Sequence, residues 1–459
     1  MSVGHRRSSV IWFGIALSGL IFGSGQMSQM LDSVTGILAA PGDSSGALFA
    51  AESIPLDLPE KDDGLPGAGP IRRYDWFRSL WKDRRAAWAK RVEQDQKAVV
   101  FLGDSITQGW GDEFGKSFDQ LKLANRGISG DTTRGMLIRL QDDVLRLNPT
   151  AVVLLMGTND LEEGASPEMI AGNVKLILEA LQKHRPEMPV VVCQVFPSSD
   201  SKKRPAAKIK AINELYQTHA KQFPQVTVVD TWTLFANPQG DARAEEFPDL
   251  LHPNEKGYRM WGQALRPIFA TLGLLETEPD PFVLEDGFKS LSNGKDLTGW
   301  GFRETPKSNT VTAFDGKVTS PDGRYAVINQ LIVVTTPREG RRIQQLWTTK
   351  EFPEDFILKL EFRATPNADS GVFIRQPQLQ CRDYLLAGPY LKLQKYRPQE
   401  WNELVVTVRG NVAHCTCNGE VLEEKLALPP TGPIGLEGDR GQMEYRRLRW
   451  KPLTAEAGK

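Results

Sequence analysis

Between residues 98 and 272 two hydrophobic rhythms alternate. Four short runs are apolar at nearly every position: 98–103 (AVVFLG), 151–156 (AVVLLM), 190–195 (VVVCQV) and 226–230 (VTVVD). A strand that is apolar at odd and even positions alike is buried on both faces, as in a parallel sheet covered by helices. Between these runs, 132–147, 167–183 and 208–223 repeat apolar residues every three or four positions, which gathers them on one helical face. A further strand is expected at 121–125 and a closing helix from 253 to 272. The order predicts an α/β domain: a doubly wound, parallel, five-stranded sheet with its site at the carboxyl edge of the strands.

Near 277–281 the helical rhythm stops, and short alternating runs separated by Gly, Pro, Asn and Asp begin. Strands are expected at 357–362, 371–375, 403–408 and 444–450. Asn418-Gly419 marks a hairpin turn between 412–417 and 420–422. This is an all-β pattern, expected to fold as a sandwich. No internal repeat is visible. The expected division is a signal peptide or anchor at 1–25, a flexible linker at 26–75, the α/β domain at 76–273, a short linker at 274–285 and the β-sandwich at 286–453.

The amino terminus follows the layout of a secretory signal: basic residues (His5, Arg6, Arg7), a 13-residue apolar run at 10–22, then Gly23, Ser24 and Gly25. A run of that length is short of the ~20 residues a spanning helix needs, so export is expected, with membrane contact only if the segment stays uncleaved. Residues 41–70, rich in Gly, Pro, Ser, Ala and acid, read as a tether. The 56 basic and 57 acidic side chains leave a formal charge of −1, which offers no global attraction to nucleic acid or an anionic bilayer. Of the four cysteines, Cys193 reads as core and Cys415 and Cys417 as neighbours on one strand face. None has zinc-site spacing, and neither metal nor cofactor is expected.

The candidate chemistry sits at strand ends. Gly103-Asp104-Ser105 closes the first buried strand and places Ser105 in the crevice beside helix N–H groups. The same triplet at Gly42-Asp43-Ser44 follows no strand and is assigned no role. A serine needs a base, and there are five histidines. His5 lies in the signal, His184 and His219 end polar helical faces, and His414 belongs to the second domain. That leaves His252, with Asp249 one turn before it to set its tautomer. Gly127 and Asn159, after the second and third strands, are candidate oxyanion donors, with ordinary turn residues as the competing reading.

These residues resemble the four blocks of the SGNH, or GDSL-type, hydrolases: Ser105 in FLGDSIT, Gly127 in NRG, Asn159 in GTND and His252 in DLLHP. The wording Ile128-Ser129-Gly130-Asp131-Thr132-Thr133, with His252-Pro253-Asn254, is similar to the branch that includes platelet-activating-factor acetylhydrolase catalytic subunits. The resemblance covers about 76–272. It implies a flavodoxin-like sheet, an acyl-enzyme on Ser105, and an oxyanion held by Ser105 N–H, Gly127 N–H and Asn159, without a metal.

Gly287-Phe288-Lys289-Ser290-Leu291, Asn293-Gly294-Lys295-Asp296-Leu297 with Gly299-Trp300, the run 358–363 and Ser370-Gly371-Val372-Phe373-Ile374-Arg375, within residues 286–452, resemble a bacterial concanavalin-like jelly-roll domain associated with 3-keto-disaccharide hydrolysis and sugar recognition. A Glu-x-Gln segment of that family corresponds here to Gln378-Leu379-Gln380, followed by Cys381-Arg382-Asp383. Gln378 cannot ionise, so catalysis there would fall to Glu361 or Asp383. Trp300, Trp347 and Trp401 are candidate sugar-stacking faces, with core packing as the alternative. The leading expectation is an exported esterase removing short acyl groups, acetyl above all, from a small molecule or polysaccharide. The rivals are a lysophospholipase-like lipid acyl hydrolase, which would need an apolar trough beside Ser105, a glycoside hydrolase working through the sandwich, and a non-enzymatic carbohydrate-binding protein.

Overall fold

The structure is a computed structural model that describes residues 55–277, 280–305, 308, 310–335, 344–382 and 392–453. The expected signal at 1–25 and the linker up to 54 lie outside the described residues, as does Asp383. Among the described residues, no helix is long and apolar enough to cross a membrane.

A helix α1 (Asp75–Ala89) precedes the first strand β1 (Val99–Gly103), which runs into the short helix α2 (Ser105–Gly109). Then follow β2 (Leu123–Gly127), α3 (Thr133–Ile138), α4 (Leu140–Asp143), β3 (Ala151–Leu155), α5 (Thr158–Glu162), α6 (Pro167–His184), β4 (Val190–Cys193), α7 (Ala206–Ala220), β5 (Val226–Val229), α8 (Thr231–Phe235) and α9 (Glu255–Thr271). The five strands are parallel in the order β2-β1-β3-β4-β5, the flavodoxin-like doubly wound arrangement. Alternation along β1 shows why its run is wholly apolar. Val100 and Leu102 join the core with Ile170, Ile177 and Leu181, while Val99 and Phe101 join the other with Trp110, Trp261 and Phe269.

The expected single helix at 132–147 is instead broken. The backbone leaves helical geometry at Arg139 (φ −91°, ψ 2°) and Val144 (φ −122°, ψ −63°) and ends left-handed at Asn148. The reason is that its charges turn inward. Arg139, fully buried, donates to Asp131 at 2.8 Å and to the carbonyls of Gly103 and Arg126, and Asp143 pairs with buried Arg85. A periodicity count takes charged residues as solvent-facing, and here they are core.

Residues 55–74 were expected in the flexible linker, and the structure corrects this. They lie along the α/β domain, with Leu58 and Ile71 packed on Phe77, Trp81, Trp88 and Ile128. Polar bonds complete the seam: Asp62 accepts from Arg134, and the Asn173 side chain bonds both backbone groups of Ala68. A Gly- and Pro-rich stretch makes no core of its own, but it can border one built by α1.

The carboxyl-terminal domain is antiparallel throughout, in two sheets. One orders Glu420–Ala427, Val412–Cys417, Asn402–Arg409, Phe356–Ala364, Met443–Pro452, Leu331–Val334 and Tyr325–Ile328, with Lys289–Ser290 also paired to Met443–Pro452. The other orders Gln378–Arg382, Asp369–Ile374, Ile434–Leu436, Leu346–Thr348, Trp300–Arg303 and Val311–Ala313. Alternation in Phe356–Ala364 and Asn402–Arg409 sends every second side chain into the shared core. Cys415 and Cys417 share the buried face of their strand, and none of the four cysteines is in a disulfide. The domains touch through side-chain bonds from Gln442 to Thr271 (2.8 Å), Asn367 to Asp230 (2.6 Å) and Asn329 to the Ala270 carbonyl (3.0 Å).

Candidate active site

Ser105 is the first residue of α2, at the carboxyl end of the central strand β1. Asp104 caps the helix, accepting Ile106 N–H at 2.9 Å. Gly103 is required by packing, since a Cβ there would run into Thr107 and the Leu155 carbonyl. Across the crevice, Asp249 organises a tight turn. One carboxylate oxygen accepts the N–H groups of Leu251 (3.0 Å) and His252 (2.8 Å), and the other meets His252 Nδ1 at 2.8 Å. Leu250 takes the left-handed conformation (φ 60°) that lets the chain double back. The ring's other nitrogen, Nε2, lies 3.0 Å from Ser105 Oγ. The candidate nucleophile, base and orienting acid thus form one hydrogen-bonded chain. Burial by itself pushes the Asp249 carboxyl up, but three hydrogen bonds from the turn outweigh it and hold the group down at about 2. Asp249 is therefore ionised whenever His252 needs it.

The oxyanion side departs from expectation. Gly127 belongs to β2, and its N–H is already donated to the Asn125 side chain at 2.9 Å. It does not border the pocket at Ser105, whereas Gly130 does. Gly130 is held at φ +86°, and its N–H has no protein partner among the described residues. Gly130 is therefore the candidate backbone donor in place of Gly127. Asn159 does border the pocket. One of its amide hydrogens goes to the Asp131 carbonyl at 2.9 Å and its oxygen accepts from Arg204 at 3.2 Å, which leaves the second hydrogen without a protein partner among the described residues. Arg204, buried and bonded also to Thr158, escaped the sequence reading because no local pattern connects it to Asn159.

Beneath the site lie three buried acids. Burial pushes Asp104 to about 6, Asp160 to about 6 and Asp131 to about 7, against the pull of their donors. Asp160 accepts both the backbone N–H and the hydroxyl of Thr133, which ties the start of α5 to the loop carrying Gly130.

The two glycines make a paired prediction. A methyl group at Gly130 would meet Trp76 at 2.6 Å and Arg72 at 3.0 Å on a backbone that disfavours any side chain. Gly130→Ala keeps its N–H but is expected to displace it, lowering kcat about 10²-fold, as one misplaced oxyanion donor would, with a smaller loss of stability than Gly127→Ala because the side chains it meets, Trp76 and Arg72, can shift. Gly127→Ala drives its methyl into the Gln108 backbone and the Asp104 carbonyl, and is expected to lose about 1–3 kcal/mol of stability in urea unfolding. The reverse ranking of activity and stability would return the donor role to Gly127.

Of the described second-domain candidates, Glu361 and Trp401 border one cavity with Arg446 between them, and the others lie apart from it. Trp300 is fully buried, its indole N–H bonded to the Leu291 carbonyl at 2.6 Å, so it is core. Trp347 is 5% exposed and lies under Arg303 at 3.8 Å. Trp401 is half-buried against Arg363 and Arg446. Glu361 is consumed by ion pairs to Arg446 (2.7 Å) and Arg447 (2.6 Å), which removes it as a candidate catalytic acid. Gln378 and Gln380 lie on the strand Gln378–Arg382 of the other sheet. There the Gln378 amide donates to Glu437, a half-buried carboxyl that burial pushes up and that also accepts from Gln345 at 3.2 Å. Glu437 was missed because nothing adjacent in sequence marks it. Among the described residues, no group of three His, Cys, Asp or Glu could hold a metal ion.

Residues 101–260 match the GDSL-like Lipase/Acylhydrolase family and residues 287–451 a 3-keto-alpha-glucoside-1,2-lyase-like domain. The chain is 26% identical over 203 residues to human platelet-activating factor acetylhydrolase IB subunit alpha2, covering 44% of this chain and 87% of that protein. It is 27% identical over 195 residues to the rat alpha1 subunit, covering 42% and 83%. Among solved structures, a GDSL-like lipase from Bacteroides thetaiotaomicron aligns with a TM-score of 0.36 at 25% identity, over 41% of this chain and 95% of that one. A lipase/acylhydrolase from Enterococcus faecalis aligns with a TM-score of 0.34 at 22% identity, over 40% and 100%.

Proposed function

Starting from a chain that is a hydrolase of ester bonds, with a GDSL-like lipase/acylhydrolase domain at 101–260, we propose that it removes short acyl groups, acetyl above all, from carbohydrate outside the cytoplasm. The observation that carries the chemistry is the Ser105–His252–Asp249 chain, with its 3.0 Å and 2.8 Å links. Ser105 Oγ attacks the ester carbonyl carbon as its proton passes to His252 Nε2. The tetrahedral oxyanion is held by Ser105 N–H, Gly130 N–H and the Asn159 amide. Collapse expels the alcohol, which takes the proton from His252 and leaves an acyl-enzyme. Water then repeats the sequence and releases the acid.

Pocket shape favours a small acyl group on a polar alcohol. The cavity at Ser105, about 480 Å³, is lined by polar and charged side chains, with Trp76 and Leu251 its apolar contributions. Only two of the lining side chains are apolar, which favours a polar alcohol over the long alkyl chain of the lipid rival. The curated relatives are named as acetylhydrolases, in keeping with a small acyl group. The sugar-associated family of the second domain and the signal-like amino terminus supply the glycan and the export in this reading.

The test is acetate release from acetylated xylan beside a p-nitrophenyl ester series of increasing chain length. Turnover is expected to be highest on acetyl esters and to fall with chain length. A rate that rises with chain length, or no acetate from the polysaccharide, would overturn the reading. Glu437 supports a second reading, sugar-bond cleavage by the sandwich. That activity would survive in Ser105→Ala and disappear in Glu437→Gln.

A further inference from the structure

The catalytic pocket carries two features that ester cleavage does not itself require. The first is aromatic. Tyr74 and Trp76 are 53% and 52% exposed and stack with centroids 6.3 Å apart at 14°. Trp76 borders the pocket of Ser105 and reaches over Gly130, so its indole stands beside the oxyanion loop. Large aromatics held in water forgo their hydrophobic stabilisation unless something covers them. Both precede the segment that matches the hydrolase family. Trp76 reaches the site, with Tyr74 stacked on it, because the strap at 55–74 and α1 are packed down on the sheet domain.

The second feature is charge. Arg72 and Arg204 border the pocket, but their charges are answered: Arg72 pairs with Glu162 and with Glu163 (2.7 Å), Arg204 with Glu162 (2.9 Å). Lys202 and Lys203 border the same pocket, and neither has an ion-pair partner among the described residues. They are not on a loose loop. Lys203 takes a left-handed backbone (φ 59°), its N–H bonded to Asp200 O at 2.9 Å. Arg204, buried and tied to Thr158 and Asn159, donates to the Lys202 carbonyl at 2.6 Å. The turn that presents the two lysines is thus anchored to the residue that aims the oxyanion amide, and a support of this kind lowers the ordering cost of binding.

Resting on the reading of Ser105 as an esterase toward sugars, we propose that the pocket selects acyl esters of acidic sugars. The ring of a uronate lies on the exposed face of Trp76, its carboxylate is drawn to Lys202 and Lys203, and its acylated hydroxyl is delivered to Ser105. A flat aromatic face beside uncompensated cations suits a pyranose bearing a carboxylate. An acyl chain or a neutral sugar would leave the lysines unused.

The experiment compares kcat/KM of the full chain on three substrates: an acetylated methyl galacturonide, the matching acetylated methyl galactoside without the carboxylate, and p-nitrophenyl acetate. Wild type is expected to prefer the uronate about tenfold at low ionic strength, and the preference should shrink with added salt. In Lys202→Ala/Lys203→Ala the ratio of uronate to galactoside should collapse toward one, and Lys202→Arg/Lys203→Arg should restore it. Trp76→Ala should raise KM for both sugars relative to p-nitrophenyl acetate. Equal turnover of the two sugars in wild type, or a preference that survives loss of both lysines, overturns the proposal while leaving the esterase intact. Faster hydrolysis of an acetylated phospholipid than of either sugar overturns it in favour of a lipid headgroup. Absence of p-nitrophenyl acetate turnover in wild type is the separate failure of the esterase reading beneath it.

Discussion

Ser105→Ala is expected to lower ester hydrolysis by about 10⁵- to 10⁶-fold while leaving the fold intact. The side chain sits half-buried at the crevice, and its recorded bond is to His252 at 3.0 Å, so its loss leaves no unpaired group in the core. What remains is the oxyanion site and substrate positioning, worth about 10³-fold over water in comparable sites. Groups that act as a unit are not additive, so Ser105→Ala/His252→Ala should be scarcely slower than the single variant. Single-turnover assays with p-nitrophenyl acetate, with circular dichroism as the control for folding, decide it. Activity within tenfold of wild type would remove Ser105 from the reaction.

Asp249→Asn is expected to cost about 10⁴-fold, nearly as much, for a subtler reason. The carboxylate accepts the ring proton on His252 Nδ1, which leaves Nε2 bare and facing Ser105. An amide can turn an N–H toward Nδ1 instead, and the ring then carries its proton on Nε2, where it can no longer receive one from the serine. The turn should survive, because the amide oxygen can still accept the backbone N–H groups of Leu251 and His252. A large fall in kcat with little change in Tm is the expected signature. The pH dependence has a definite sign. The native Asp249 carboxyl is held at about 2, below its ordinary 3.8, so its contribution to stability is present above pH ~4 and lost as pH falls toward 2. No activity transition above pH 4 should therefore trace to Asp249. Similar activity in Asp249→Asn and wild type would show that the turn alone orients the ring.

Much of the site was legible because its signals are local. Ser105 stands where an apolar run ends, Asp249 and His252 are three residues apart in one turn, and Asn159 follows a buried strand. The oxyanion donor was not legible. Gly127 and Gly130 are three residues apart, and the difference between them is that Asn125 already occupies one N–H. Arg204 comes from a segment with no periodic mark, Trp76 from the helix that precedes the first strand, and Glu437 from just beyond the strand Ile434–Leu436 of the sandwich.

The sequence by itself determined the five strands of the α/β sheet and the longer strands of the sandwich, the order in which chemistry-bearing residues meet the sheet edge, and the break between an α/β and an all-β domain, while short sandwich strands such as Trp300–Arg303, Leu346–Thr348 and Ile434–Leu436 carried no signal. Those properties follow from side-chain periodicity and from the ends of strands, which are near-neighbour facts along the chain. Tertiary structure alone decided that 55–74 is packed, that the helix at 132–147 is broken by inward-facing Arg139 and Asp143, and which donors and cations border Ser105. Whether a polar group is spent or free depends on partners distant in sequence: Arg139 with Gly103, Arg204 with Asn159, Trp76 over Gly130. Burial gives those partnerships their strength, because a polar group removed from water must find its partner inside the protein.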